Sequence, residues 1–500
     1  MESFQNLVMG LGTALHPVNL FYCFIGVLIG TLTGVLPGIG PVGAISLLLP
    51  VTFHVPPVSA FIMFAGIMYG AQYGGSTTSI LVNIPGEASS VITCMDGYAM
   101  ARKGRAGPAL GMAAFASFIA GTGTLFGLVL IAPPLAEFGL RFGPPEYFSL
   151  MVCGLTIVVY LARGSIAKAL MMMSFGLILA AVGLDPISSH PRFTYGVLAL
   201  RDGVGLAQVV IGLFGVSEVL ITVERSFSRV VFETKIKELL PTLQDWKDSI
   251  LPVLRASILG FFMGIIPGIS VVIPTFVSYS LEKKLSKYPE KFGTGVIEGV
   301  AGPEAANNAA ASGTLVPLLS LGIPAGASSA IVLGALMIYG LNPGPLLIKE
   351  SPQVFWGVIG SMYIGNVMLL LLNLPLIGIW VKILKIPYGI LFSLIILFCL
   401  IGSYTINNSL TDMYIMTIFG VMGYLMKKFD YEATPLILAL VLGPMMENAL
   451  HRSMIISRGG FLVFFQRPIS AIFFGMALLI LLSSFLSKKK LGEDILNMEE

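Results

Sequence analysis

"TGVLPGIGPVGAIS" at residues 33–46 and "MGIIPGISVVIPTF" at residues 263–276 carry the same phrase, Gly-x-x-Pro-Gly-Ile, at an offset of 230 residues. Proline removes a backbone donor and clashes with the preceding helical turn, and the glycine beside it tolerates φ > 0, so each phrase is expected to break a helix. Both lie in stretches apolar enough for a bilayer. Broken backbone at membrane depth is tolerated only where protein or a wet cavity satisfies its polar groups. The tips Pro37-Gly38 and Pro267-Gly268 are therefore expected to turn two hairpins and to line a cavity.

The surrounding composition sets the class. Of 500 residues, 56% are hydrophobic and 11% charged, against about 25% charged in a soluble domain. Apolar stretches of about 17 to 25 residues, the length that crosses a ~30 Å hydrocarbon core, recur as far as residue 487. About a dozen such segments are expected, which makes the chain an all-α polytopic membrane protein; the runs are too long and continuous for the short alternating strands of a barrel. The N-terminus has neither the basic region nor the small-residue cleavage site of a removable signal peptide. Cys23, Cys94, Cys153 and Cys399 sit in apolar surroundings without metal or CxxC spacing and read as packing residues. His16, His54, His190 and His451 are scattered, and neither a Walker A loop nor HExxH nor GxSxG occurs, which argues against an enzyme. No basic cluster interleaved with aromatics points to nucleic acid.

Charge gives the orientation, because Lys and Arg in short loops mark the cytoplasmic side. Residues 1–101 contain no Lys or Arg; then Arg102, Lys103 and Arg105 arrive together. Residues 225–247, "EKKLSKYPEK" at 282–291 and the "SKKK" near the C-terminus are likewise basic. The first Pro-Gly-Ile copy enters from a side without basic residues and exits into "ARKGRAG". The second enters after the basic loop ending at Lys247 and exits into "YGLNPGPLL". Entrances and exits are opposite, the signature of the inverted-topology repeats of secondary transporters. "NIPGEASS" at 83–90 matches "GIPAGASS" at 322–329, extending the alignment at an offset of 239. The expected division is a first repeat with its following spans at 1–223, a cytoplasmic linker at 224–248, a second repeat with its spans at 249–487 and a cytoplasmic tail at 488–500. The N-terminus is expected to be periplasmic and the C-terminus cytoplasmic.

A polar cluster follows each hairpin: "YGGSTTSILVNIPGEASS" in the first repeat and "AGPEAANNAAASGT" in the second. Such density is costly in lipid, so these side chains should face each other or water. Hydroxyls, amide oxygens and freed carbonyls suit Na⁺, while helix N-termini offer N–H groups to a carboxylate. Candidate substrate-binding residues are Pro37, Gly38, Gly40, Gly75, Ser76, Thr77, Asn83, Pro267, Gly268, Ser270, Ser312, Gly313 and Thr314. Candidate cation-binding residues are Thr78, Glu304, Asn307 and Asn308, with Na⁺ as the ion. Glu304 follows Gly302-Pro303 and has two readings: a cap on the first turn of a new helix, or part of the coupling site.

At "GVLPGIGP" (34–41), "YGGSTTSILVNIPGE" (73–87), "DGYAMARKGRAGPALG" (96–111), "GIIPGIS" (264–270), "GPEAANNAAASGTLVPLLSLGIPAG" (302–326) and "GLNPGP" (340–345) the sequence resembles the large membrane subunit of the tripartite tricarboxylate transporters, the TctA family. The resemblance implies two partners, a small membrane subunit of about four helices and a periplasmic solute-binding protein. It also implies uptake of an organic carboxylate, either a di- or tricarboxylate or an aromatic acid, across the bacterial inner membrane. The uptake would be cation symport, commonly with Na⁺, and without any organic cofactor. Inverted hairpins beside broken helices also look like the ion transporter superfamily, in which a transport domain slides as an elevator. A single-component carboxylate carrier that needs no binding protein is the alternative reading.

Overall fold

The computed structural model describes residues 2–36, 40–162, 165–185, 188–224, 239–384 and 388–496. Among these it is almost wholly helical; the exception is a two-stranded antiparallel hairpin, Gly183–Leu184 with Pro191–Arg192. Six helices are long and apolar enough to cross a membrane, and five more apolar helices are shorter. The chain is an all-α, multi-pass membrane protein. The first tip, Pro37-Gly38, lies outside the described residues, as do 225–238 of the linker and 497–500 of the tail.

The second tip is described, and the helix breaks there. The Leu243–Ile265 helix stops, Gly268 adopts φ +84°, and a new helix runs over Val272–Leu285. In the first copy the Pro17–Val35 and Gly40–Thr52 helices flank the phrase, and Gly40 sits at φ +59°. A long buried helix follows each hairpin: Pro57–Val82 in one repeat and Glu298–Leu321 in the other. Neither is among the six apolar spans, because Ser, Thr, Asn and Gly dilute their hydropathy. Protein buries them on every side from Ser59 to Val82 and from Gly299 to Ser320, so lipid does not meet those polar groups.

The duplication is legible in the packing. A Cβ placed on Gly34 would lie 2.1 Å from the Ala71 carbonyl oxygen, and one on Gly264 would lie 2.3 Å from that of Ala310. Gly74 presses in the same way on the Thr31 carbonyl at 2.2 Å, and Gly313 on that of Phe261 at 2.3 Å. The offsets of 230 and 239 residues carry each of these contacts onto its partner. The long helices end alike, in left-handed residues: Asn83 at φ 59° and Gly322 at φ 72°. Beyond them, Ser90 accepts from the Glu87 N–H at 3.3 Å and donates to the Glu87 carbonyl at 2.8 Å. Ser329 does the same to Gly326, at 2.9 Å for both bonds.

Pro303 does not break a helix. The Glu298–Leu321 helix runs through it, so Glu304 stands inside a continuous helix and caps nothing. Pro303 is the sixth residue of that helix, past the unpaired N–H groups of the first turn, so the ladder gives up one bond there, to the Gly299 carbonyl.

Two compact units emerge, residues 1–137 with 206–425 and residues 138–205 with 426–500. The first holds both hairpin repeats, together with much of the Ala106–Gly139 helix and the Pro352–Asn373 helix. The second is built on the helices Pro144–Leu161, Ile166–Ala180, Thr434–Ile456 and Pro468–Leu496. It is tied by Arg467 to Glu146 at 2.5 Å and by Arg192 to Glu447 at 2.5 Å and Asp185 at 3.2 Å. Glu447 beside the Arg192 guanidinium holds the arginine above its usual range.

Candidate functional site

The centre of the first unit is where the two long buried helices cross. Tyr69 lies beside Ser312, hydroxyl to hydroxyl at 2.5 Å, and Ser76 donates to Glu304 Oε2 at 2.6 Å. As the number rises by seven along one helix it falls by eight along the other, so these equivalent helices run antiparallel, as inverted repeats require. The Ala106–Gly139 helix joins in the opposite sense: Ser117 reaches Glu304 Oε2 at 3.4 Å and Thr124 donates to Ser312 at 3.0 Å. Residues two turns apart on each helix stand on one face, which gives two polar tiers about two turns apart.

The tier around Glu304 is the more polar. Its carboxylate accepts from Ser76, from Thr93 at 2.5 Å on Oε1, and from Ser117, and the residue is 1% exposed. Glu87, 8% exposed, accepts from Asn307 Nδ2 at 3.0 Å and from Ser89. These donors to the two carboxylates are all neutral hydroxyls and amides. Four buried acceptor-capable atoms in the same region have no partner among the described residues: Asn307 Oδ1, Asn308 Oδ1, Gln72 Oε1 and Tyr73 OH. A buried ionised carboxylate without a countercharge costs several kcal/mol, and each orphaned polar atom roughly 1–3 more. The arrangement therefore has an excess of hard-oxygen acceptors, which a small cation or a proton would balance.

Of the residues singled out in the sequence, Ser76, Glu304, Asn307, Asn308 and Ser312 converge here. Gly75 is the floor under Glu87, whose Cγ would be 2.7 Å from a Cβ on that glycine. The Thr77 hydroxyl leans back on the Tyr73 carbonyl at 3.5 Å, and its side chain lines a cleft beside the tier. Thr78 donates to the Val35 carbonyl at 2.7 Å and so closes the end of the first hairpin arm. Thr314 bonds back to Ala311 at 2.7 Å, Gly313 is a packing contact, and Asn83 is a left-handed helix end. Pro267, Gly268 and Ser270 form the second tip, which is half-buried rather than sealed. There the Gly268 N–H donates to the Ala325 carbonyl at 3.0 Å, and Ser270 accepts from the Val272 N–H at 3.4 Å. Gly40 begins the first returning arm, with open space where a Cβ would point.

Sequence reasoning missed Tyr69, Thr93, Ser117, Thr124 and Asp96. The hydroxyls had a signal, since Ser117 and Thr124 are seven apart in a small-residue helix and Tyr69 and Ser76 repeat that spacing. Asp96 is 0% exposed and accepts from the N–H groups of Gly293 (2.9 Å), Gly295 (2.6 Å) and Val296 (3.0 Å) and from Tyr279 OH (2.8 Å). It fastens the turn that carries Thr93 to the chain leading into the Glu304 helix.

A family model described as the tripartite tricarboxylate transporter TctA family matches residues 20–438. An uncharacterized 52.8 kDa protein of the TAR-I ttuC' 3' region of Agrobacterium vitis is 48% identical over 500 residues, which cover all of both chains. An uncharacterized protein of the TAR-II ttuC' 3' region in the same organism is 50% identical over 234 residues, 46% of this chain and 97% of that protein. No solved structure gives a significant match.

Proposed function

The chain belongs to the tripartite tricarboxylate transporter TctA family, and from that premise we propose that it is the large membrane subunit of a binding-protein-dependent symporter that imports an organic carboxylate. It works in the bacterial inner membrane with a small membrane subunit and a periplasmic solute-binding protein, is driven by Na⁺ and is no enzyme. The observation that carries this reading is Glu304: a carboxylate sealed between two antiparallel repeats, bonded only by neutral donors, with orphaned amide oxygens of Asn307 and Asn308 on the same helix. An ion bound there stabilises whichever arrangement of the repeats completes its shell, which couples ion binding to a conformational equilibrium. The half-buried tip at Pro267–Ser270, ahead of the Val272–Leu285 helix, is the place for the substrate carboxylate, for which the Gly268 and Val272 N–H groups exchange their partners Ala325 and Ser270.

Contacts support the orientation as well. Arg105 reaches Asp245 at 2.6 Å and Asp96 holds Gly293–Val296, so loops read as cytoplasmic are neighbours. Tyr339 donates to the Thr52 carbonyl, which brings together two ends read as periplasmic.

The test is uptake of labelled citrate, succinate and benzoate by cells expressing the full chain with its two partners, under an imposed Na⁺ gradient. Wild type is expected to accumulate one of the three, and Glu304→Gln to lose accumulation while its membrane abundance stays normal. Normal accumulation in Glu304→Gln removes the coupling role. Accumulation without the binding protein replaces the tripartite reading with the single-component carrier.

A further inference from the structure

Beside the Glu304 tier lies a narrow cleft whose polar lining is Tyr73, Ser76, Thr77, Ser117 and Asn373. Its apolar lining is Leu110, Ala113 and Ala114, on the same helix face as Ser117. Two of its polar residues are orphaned and more than nine-tenths buried: Tyr73, 3% exposed with no partner for its hydroxyl, and Asn373, 5% exposed with no partner for Oδ1. Asn373 Nδ2 is already bonded to the Leu369 carbonyl at 2.9 Å, which fixes which end of the amide stays unpaired. Ser76 and Ser117 line the cleft and also hold Glu304 Oε2, so two hydroxyls join the cleft to the carboxylate. Neither Lys, Arg nor His lines it.

The repeat gives the Glu304 tier a counterpart, and its chemistry differs. The 239-residue offset carries Ser76 onto Leu315 and Thr93 onto Val332, and Glu304 back onto Ala65 and Asn307 back onto Met68, and all four of these residues line one cavity. That cavity is walled by Phe61, Met68, Val332 and Val358, with no polar side chain in its lining. The two repeats thus share a backbone arrangement, and only one of the two equivalent positions offers oxygen ligands.

We propose that the cleft of Tyr73, Ser117 and Asn373 completes a single monovalent-cation site with Glu304, and that the equivalent position in the other half holds no ion. The proposal rests on the coupling role given to Glu304 above and adds two things to it. Helices outside the hairpin repeats, Ala106–Gly139 and Pro352–Asn373, supply part of the ion's shell, and the broken chemical symmetry limits this pair of equivalent positions to one ion. An uncharged lining of hydroxyl and amide oxygens suits a small hard cation, and the apolar residues Leu110, Ala113 and Ala114 beside them limit the water that competes with the ligands.

The experiment is equilibrium binding of ²²Na⁺ to the purified full-length chain, with gel filtration and a melting curve to show that each variant is folded. Tyr73→Phe removes one hydroxyl and Asn373→Leu keeps the branched outline without the amide, and each is expected to weaken Na⁺ binding roughly tenfold, the loss of about one oxygen ligand's interaction. Ser117→Ala is expected to weaken it less, and Glu304→Gln to abolish it. Saturation should reach one ion displaced by these substitutions, with Ala65→Ser and Leu315→Met leaving it unchanged. If Glu304→Gln abolishes binding while Tyr73→Phe and Asn373→Leu bind as wild type does, the cleft is no part of the site and only the coupling role of Glu304 stands. If Glu304→Gln also binds normally, both ideas fall.

Discussion

Asp96 shows how much a single buried carboxylate can organise. Three backbone N–H groups and one phenol converge on it, and Gly299 packs so closely that a Cβ there would meet Asp96 Oδ2 at 2.3 Å. Hydrogen bonds to a charged acceptor are worth about 1.5–3 kcal/mol each, and removing the acceptor leaves buried donors unpaired. Asp96→Asn turns one acceptor oxygen into a donor and is expected to destabilise the protein by about 3 kcal/mol, which lowers the melting temperature by on the order of 5 °C. Asp248→Asn, at an exposed residue bonded to Gln244, should stay within about 0.5 kcal/mol. Equal melting curves for the two variants would contradict the role given to Asp96. Glu304 is the opposite case: its hydroxyl partners Ser76, Thr93 and Ser117 come from three separate segments, and the sequence around it announced only that a charge was present.

At the scale of elements, glycine decides how closely each hairpin arm approaches its long helix. Gly34 and Gly264 stand against carbonyl oxygens of the next helix, where a methyl has no room. Gly34→Ala and Gly264→Ala are each expected to cost about 1–3 kcal/mol by overpacking, and because the contacts are equivalent the two losses should be similar. Gly378→Ala, an exposed helical position with open space around it, should be neutral or slightly stabilising through helix propensity. Melting of the three purified variants checks this, and a large difference between Gly34→Ala and Gly264→Ala would contradict the equivalence of the repeats. The same scale explains Pro303. A local pattern of Gly-Pro reads as a stop, yet it sits in the first two turns of a helix that packing buries on all sides, and burial outweighs the loss of one backbone bond.

For the whole molecule, the inversion makes a topological prediction. Single cysteines at Lys103 and at Pro343, in a background without Cys23, Cys94, Cys153 and Cys399, are expected to differ in labelling by an impermeant thiol reagent on intact cells. Pro343 should react from outside and Lys103 only after the membrane is opened. Three of the native thiols are buried and Cys94 is half-buried, so their replacement by Ala or Ser removes background at small cost in stability. Equal labelling at both sites would reject the opposed entrances from which the inverted repeat was read.

The sequence by itself determined the membrane class, the helix break at Pro267-Gly268, the duplication and the family, because each rests on local composition or on motifs short enough to survive as text. It also pointed to Ser76, Glu304, Asn307 and Asn308 as polar residues too dense to face lipid. Only the tertiary structure decided which of those side chains meet. Thr78, Gly313 and Thr314 share the same motifs, yet they are engaged with backbone near their own hairpins. Thr93, Ser117, Thr124 and Asn373 come from segments that read as ordinary membrane helices or loops. The reason is physical: a helix sets the angle at which a side chain leaves its axis, but what that side chain meets depends on how helices far apart in the chain are packed. That packing follows from glycine contacts and burial summed over the whole unit, and the chemistry that distinguishes the Glu304 tier from its apolar counterpart appears only when the two repeats are set against each other.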